Sequence, residues 1–264
     1  MSSRRTGAIL ADALVALVLL GILGLVGVRL LVSGERLART VLEHGARAAA
    51  LHGGAAFLRR ELEGLGRDSG GSDLLALGSD SVTYRAMRLA GLACTVTTAE
   101  VRIRLDQARG WRLPQPGRDS LLVPLFSDSG MAVPRHWIAG PIWSLAPASC
   151  GGAPALALRT TLDSARLAGT PLPALVPVRT FEIMQLRLYQ SLGQWWLGAR
   201  SVSAGEPTQP VHGPLDPAGL RLTGLDSSGR AVPGPASVRS LSLVLAASGD
   251  SVALNLAPRN LGPP

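Results

Sequence analysis

From Ala8 to Val32 the chain is almost wholly apolar, broken only by Asp12 and, near the far end, Arg29. As a helix this run rises roughly 37 Å, enough to cross a bilayer with some tilt. The pattern then changes. Leu37, Val41, His44, Ala48, Leu51, Ala55, Leu58, Leu62 and Leu65 recur at alternating spacings of four and three. Glu35, Arg36, Arg39, Glu43, Arg47, Arg59, Arg60, Glu61 and Glu63 fill the positions between them. This is the heptad-like stripe of an amphipathic helix. The two runs together predict one helix from Ala8 to about Leu65, with Gly53-Gly54 as a weak point that marks a bend.

A Gly- and Ser-rich break from Gly64 to Ser72 ends the helical pattern, and short alternating runs follow it. Strands are expected near Ser81–Met87, Val101–Leu105, Leu121–Phe126, Trp137–Ser144 and Ala155–Thr160. More are expected near Phe181–Tyr189, Gln194–Ser201, Leu220–Leu225, Ser237–Ala246 and Ser251–Leu256. Clean alternation, as in Gln185-Leu186-Arg187-Leu188-Tyr189, points to antiparallel sheets with one wet face. Ser191-Leu192-Gly193 reads as a hairpin turn between two such runs. The Pro-dense stretch from Gly205 to Pro217, and Pro233 and Pro235, read as loops. The fold class is therefore α+β: a long N-terminal helix, half membrane-spanning and half amphipathic, packed on an antiparallel β-rich globular domain.

The formal net charge is +8, and all 26 basic residues are Arg. They are spread along the chain, often alternating with apolar residues, as in Val101-Arg102-Ile103-Arg104-Leu105. That spacing places them on the solvent face of strands, not in a patch. The default reading is a solvated basic surface with no nucleic-acid partner.

Candidate chemistry is sparse. The recurring Asp-Ser pairs, such as Asp119-Ser120 and Asp226-Ser227, are turn chemistry. Nucleophile-elbow, zincin and phosphate-loop motifs are missing. His44, His52, His136 and His212 form no ligand-spaced cluster. Asp73, Asp80, Asp119 and Asp128 lack EF-hand spacing. The expectation is no enzyme, no metal and no cofactor. Cys94 and Cys150 are too far apart in sequence for a CxxC site. Outside the cytoplasm a disulfide is their natural state, and two free buried thiols are the alternative.

Asp12 is the most informative residue of the apolar run. A carboxylate at the centre of a membrane helix costs about 2.5–3.5 kcal/mol, and less near an end. It calls for a partner. If the chain were cut between Gly7 and Ala8, the new amine would lie roughly 6 Å back along the helix. The partner is then that amine, the amine of an adjacent subunit, or lipid headgroups reached by snorkelling. A secretory signal peptide fits poorly, because its apolar stretch is shorter. A plain signal anchor fits length and charge but leaves Asp12 unexplained.

Arg4-Arg5-Thr6-Gly7, followed by Ala8-Ile9-Leu10-Ala11-Asp12-Ala13-Leu14, resembles the start of type IV pilins and type II secretion pseudopilins. The family pattern is a short basic leader, Gly before the scissile bond, an apolar mature start and an acidic fifth residue. Two departures are Ala8, where most members have an aromatic residue, and Asp12, where most have Glu. Later stretches resemble the minor-pilin W and pseudopilin J branch: Phe57-Leu58-Arg59-Arg60-Glu61-Leu62, Val178-Arg179-Thr180-Phe181-Glu182, Trp195-Trp196-Leu197-Gly198 and Leu256-Ala257-Pro258-Arg259-Asn260.

The resemblance implies a leader at 1–7, a transmembrane half-helix at 8–32 and an amphipathic half at 33–66. A pilin-like, β-rich periplasmic or extracellular domain at 67–260 and a tail at 261–264 complete it. It implies cleavage by a prepilin peptidase after Gly7, N-methylation of Ala8, and pairing of Asp12 with a neighbouring subunit during assembly. The implied partners are other pilin or pseudopilin subunits, the peptidase and the inner membrane. The alternative is a single-pass anchored periplasmic binding module that forms no filament.

Overall fold

The computed structural model describes residues 4–68, 71–127, 130–168, 170, 172–257 and 260–261. The chain divides into two compact units, Met1–Ala49 and Ala50–Pro264. The elements are α1 (Arg4–Leu62), β1 (Gly66–Asp68), β2 (Gly71–Ser72), β3 (Leu74–Leu77), β4 (Ser81–Val96), β5 (Glu100–Arg104) and β6 (Arg109–Gly110). Next come β7 (Ser120–Ser127), β8 (Gly130–Cys150), β9 (Ala153–Thr160), α2 (Ser164–Leu167), β10 (Val176–Ser191) and β11 (Gln194–Ser201). The chain closes with β12 (Gln209–Leu215), β13 (Leu220–Leu225), a 3-10 turn at Pro235–Ser237, β14 (Ser240–Ala247), β15 (Asp250–Leu256) and β16 (Asn260–Leu261). One long helix and an antiparallel β domain make the class α+β.

The helix begins at Arg4, upstream of the expected start at Ala8, and ends at Leu62 with a turn at Glu63–Gly64. Arg59 and Arg60 occupy its last turn, where cations complement the helix dipole. It runs unbroken through Gly53-Gly54, and the two glycines serve packing. A Cβ on Gly53 would stand 3.1 Å from the ring of His212, and one on Gly54 3.1 Å from Cδ1 of Leu245. From Ala50 onward the expected stripe is buried: Leu51, Ala55, Leu58 and Leu62 enter the core.

Two hydrophobic cores lie within Ala50–Pro264. In the first, the end of α1 packs on Val82 and Tyr84 of β4, Leu186 and Leu188 of β10, Leu197 of β11, and Leu241, Leu243 and Leu245 of β14. The second core was not foreseen. Strands β4, β5, β9, β8, β7 and β10 pair in that order, and β10 pairs back onto β4, so the ring closes. Closure removes free edges and leaves an interior that side chains must fill. Ala93, Ile103, Leu121, Val123, Ile138, Leu158 and Val178 fill it.

The two long strands β4 and β10 serve both cores. They pair from Arg187↔Ser81 to Val176↔Ala93, with a bulge opposite Thr180/Phe181. On its other edge β10 holds β11 along its second half and β7 along its first. The bulge falls at Arg88. Buried residues of β4 sit at even positions through Ala86 and at odd positions from Leu89. That change of phase explains why alternation predicts a strand ending at Met87 where the strand continues to Val96.

The hairpin at Leu192-Gly193 is as expected, and both residues have positive φ, +50° and +76°, as a type I′ turn requires. The Pro-dense stretch is corrected in part. Residues Gln209–Leu215 form β12, an outer strand beside β11, a position that tolerates Pro. Leu261, assigned by sequence to a tail, pairs with Arg67 of β1.

Cys94, on β4, and Cys150, at the end of β8, form a disulfide with Cα atoms 5.9 Å apart. It ties two strands of the closed ring that do not neighbour one another in it. Reducing it, or the substitution Cys94→Ser with Cys150→Ser, is expected to lower stability by about 4 kcal/mol, from the loop it closes. Urea unfolding of the detergent-solubilised chain, with and without reductant, measures this.

Candidate functional site

Two buried carboxylates, Glu182 and Asp119, converge with three arginines where the two cores meet. Glu182 of β10 is 1% exposed. Arg88, the bulge residue of β4, donates to its Oε2 at 2.9 Å. Arg112 donates to the same oxygen at 3.0 Å, and Arg118 to Oε1 at 2.5 Å. Both arginines come from the segment between β6 and β7. Arg112 also forms a forked pair with Asp119, itself 2% exposed, and Arg118 also pairs with Glu206.

The cluster extends to the helix. Glu61 accepts from the hydroxyl of buried Tyr84 at 2.8 Å and lies 3.9 Å from Arg88. Burial foremost, and then the Glu61 carboxylate, push the Tyr84 hydroxyl well above its ordinary pKa, so it stays a donor. Burial alone would raise the pKa of Glu182. The Ser201 hydroxyl, Arg88 and Arg118 outweigh it and hold the carboxyl below its usual range. Both oxygens of Glu182 and both of Asp119 accept from arginines. In this arrangement each of these carboxylate oxygens is engaged by a guanidinium.

Sequence reasoning missed this cluster. It treated Asp119 as turn chemistry and quoted Glu182 only within a resemblance. The available signal was parity. Val176, Val178, Thr180, Glu182, Leu186 and Leu188 are buried at even positions of one strand, so Glu182 is a carboxylate in an apolar register.

Other expectations resolve individually. Val101 and Ile103 point inward while Arg102 and Arg104 pair with Glu100 and Asp106. Asp226 accepts from the backbone N–H groups of Ser228 and Arg230, the expected turn chemistry. His44 is exposed, and His212 packs against Phe57 with ring centroids 5.6 Å apart. Burial, and then Arg60, push the pKa of His212 down. Among the described residues no three His, Cys, Asp or Glu side chains stand together as a metal site. Asp128 lies outside the described residues.

The second candidate element is the first part of α1. Gly7, Ala8 and Asp12 lie in its helical backbone, and their side chains lie outside the described residues. From Leu14 through Val32 every large apolar residue is exposed, Leu17, Leu20, Leu23 and Leu31 among them. This is a helix long and apolar enough to cross a membrane. The exposed apolar positions continue to Leu37, Val41 and Leu42.

Comparison of the chain with family models, curated proteins and solved structures finds no match.

Replacing Glu182 tests its place in the fold. Glu182→Leu leaves three arginines without their shared carboxylate and is expected to destabilise the chain by about 3 kcal/mol in urea. The acid limb follows from the depressed pKa. Folded Glu182 binds protons less readily than unfolded, so its contribution is complete above the ordinary carboxyl pKa. It is lost as pH falls through the lower folded value. Glu182→Gln should therefore flatten the loss of stability below that ordinary value, as read from unfolding midpoints at several acidic pH values.

Proposed function

We propose that the chain is a structural subunit of the pilin and pseudopilin type, built into a type IV pilus or type II secretion pseudopilus, at its tip or in the initiation of assembly. The observation that carries the reading is the apolar helix from Leu14 to Val32, exposed along its length and continuous with a helix whose end is buried in a β-rich core. An apolar surface of that extent demands lipid or other helices around it. Helices of like kind supply the same cover in an assembly that lipid supplies before it. Two further features support the reading. The disulfide suits a domain in an oxidising compartment. Arg4 and Arg5 before the span favour a cytoplasmic N-terminus and an exported domain.

In this reading a prepilin peptidase cuts after Gly7 and methylates the amine of Ala8. The helix waits in the inner membrane as a single pass. Asp12 then pairs with the amine of a neighbouring subunit, which repays its cost in lipid and sets the axial register between subunits. The β domain, about 200 residues, is large for a repeated shaft element and suits a tip or priming position. Neither a catalytic step nor a cofactor enters this role.

Mass spectrometry of the membrane-extracted chain tests the processing. A mature N-terminus at a methylated Ala8 is expected, and an intact Met1 would instead support a single-pass anchored binding module. Asp12→Ala is expected to leave membrane insertion intact while cutting co-purification with partner subunits at least tenfold. An anchor without filament assembly would show no such loss.

A further inference from the structure

The small sheet packs on the end of α1 through Leu241, Leu243 and Leu245, while Ala56, Arg59 and Arg60 of that helix are exposed. Its strand order is β13-β14-β15, so β15 is an outer strand. It pairs with β14 from Ala247↔Asp250 to Leu241↔Leu256, and no other described strand pairs with it. In an antiparallel strand with one partner, every second residue turns its N–H and C=O away from the ladder. Residues Asp250 to Asn255 are exposed or half-exposed, so these groups are accessible. Outer strands usually carry protection such as Pro, Lys or bulges. The outer strand β12 has Pro210 and Pro214 and a register shifted at two points. Neither device is present in β15: its ladder to β14 is regular, and its sequence, Asp-Ser-Val-Ala-Leu-Asn-Leu, holds no Pro and no cation.

A groove of about 460 Å³ runs beside this edge. Ala55 and Ala56 of the helix and Val252 and Leu254 of β15 form its apolar floor. Arg59 and Arg60 stand over it, both exposed. Arg60 is held by stacking on Phe57 and Trp111, with its guanidinium carbon 5.8 and 5.5 Å from the ring centroids. Among the described residues that line the groove, Arg59 and Arg60 carry positive charge and Glu63 negative.

We infer that β15 and this groove receive an extended segment of another polypeptide, added to the sheet as a fourth strand. Its backbone pairs with the outward groups of β15. Its side chains at one parity lie on the Ala55–Ala56 and Val252–Leu254 floor, which admits small apolar groups. A carboxylate at the same parity meets Arg59. Main-chain bonds supply affinity here, and alternate side chains supply selectivity. The charge of the groove wall fixes the sign of the partner. The inference is independent of the filament reading, because every residue it uses lies within Ala50–Pro264.

The test uses the full chain in detergent and a fluorescent peptide, Glu-Ser-Val-Ser-Val-Ser-Glu, blocked at both ends. Its symmetric pattern lays the same side chains on the floor in either direction, while the set of amides that faces β15 changes with direction. Saturable binding by fluorescence anisotropy is expected. Replacing both Glu by Lys should weaken it at least tenfold, and Arg59→Glu should weaken the parent peptide and restore the Lys form. N-methylation provides the decisive arm. Methylating the amides of both parities together should abolish binding, because in either strand direction one of the two sets faces β15. Binding that survives methylation of both sets, indifference to Arg59→Glu, or no saturable binding overturns the proposal. A dimer of the chain that the peptide dissociates would assign the edge to a second copy and overturn it as well. Arg59 is exposed, and near-UV circular dichroism of Arg59→Glu confirms that a loss of binding is not a loss of fold.

Discussion

A carboxylate taken out of water must find its charge balanced nearby or it opposes folding, and Glu182 sits where that demand shapes the domain around it. It lies at the point where β10 leaves the closed ring and enters the helix-facing sheet. Its three arginines come from separate parts of the chain: one from the bulge of β4, two from the segment between β6 and β7. The bulge, the path of that segment and the course of β10 must therefore all be right together. Arg112 and Arg118 carry the constraint further, to Asp119 at the start of β7 and to Glu206 beyond β11. A hydrophobic plug at this point would satisfy burial with less demand on geometry. The ionic cluster instead links β4, β10 and the segment before β7 through directional bonds.

The same cluster reaches the helix through Arg88, Glu61 and Tyr84. Around it the packing is close and apolar. Gly53 and Gly54 allow His212 and Leu245 to approach the helix backbone, and Leu51, Leu58 and Leu62 fill the space beyond. Gly costs helix stability, by about 1 kcal/mol each, and the close approach is what offsets it here. The helix thus carries two kinds of apolar surface. After Ala50 its stripe is used within the chain. From Leu14 to Leu42 its large apolar residues are exposed, and the functional reading rests on that surplus.

Period was readable wherever one face of an element met one core. The 3.5-residue stripe located the buried leucines of the helix, and alternation placed β13 to the residue. Alternation failed where an element changed its core. At Arg88 the buried parity of β4 switches, and a pattern reader sees the strand end there. In β12 the two prolines read as loop, because a sequence does not state which strand will lie at the outside of a sheet. The cluster itself was nearly invisible. Glu182 and Arg112 are 70 residues apart, and nothing local distinguishes a paired Arg from a solvated one.

By itself the sequence determined the membrane-length apolar helix, the amphipathic continuation, the antiparallel character of the remainder and most strand positions. These follow from local burial periodicity, which each element carries in its own residues. Tertiary structure alone decided that β10 would pair back onto β4 and close a ring, that the expected Cys94–Cys150 disulfide would join strands not adjacent in that ring, that one carboxylate would gather three arginines, and that β15 would have a single partner among the described strands. Each of these depends on which distant segments become neighbours. That choice is made by the summed packing of the whole domain, and no single segment encodes it.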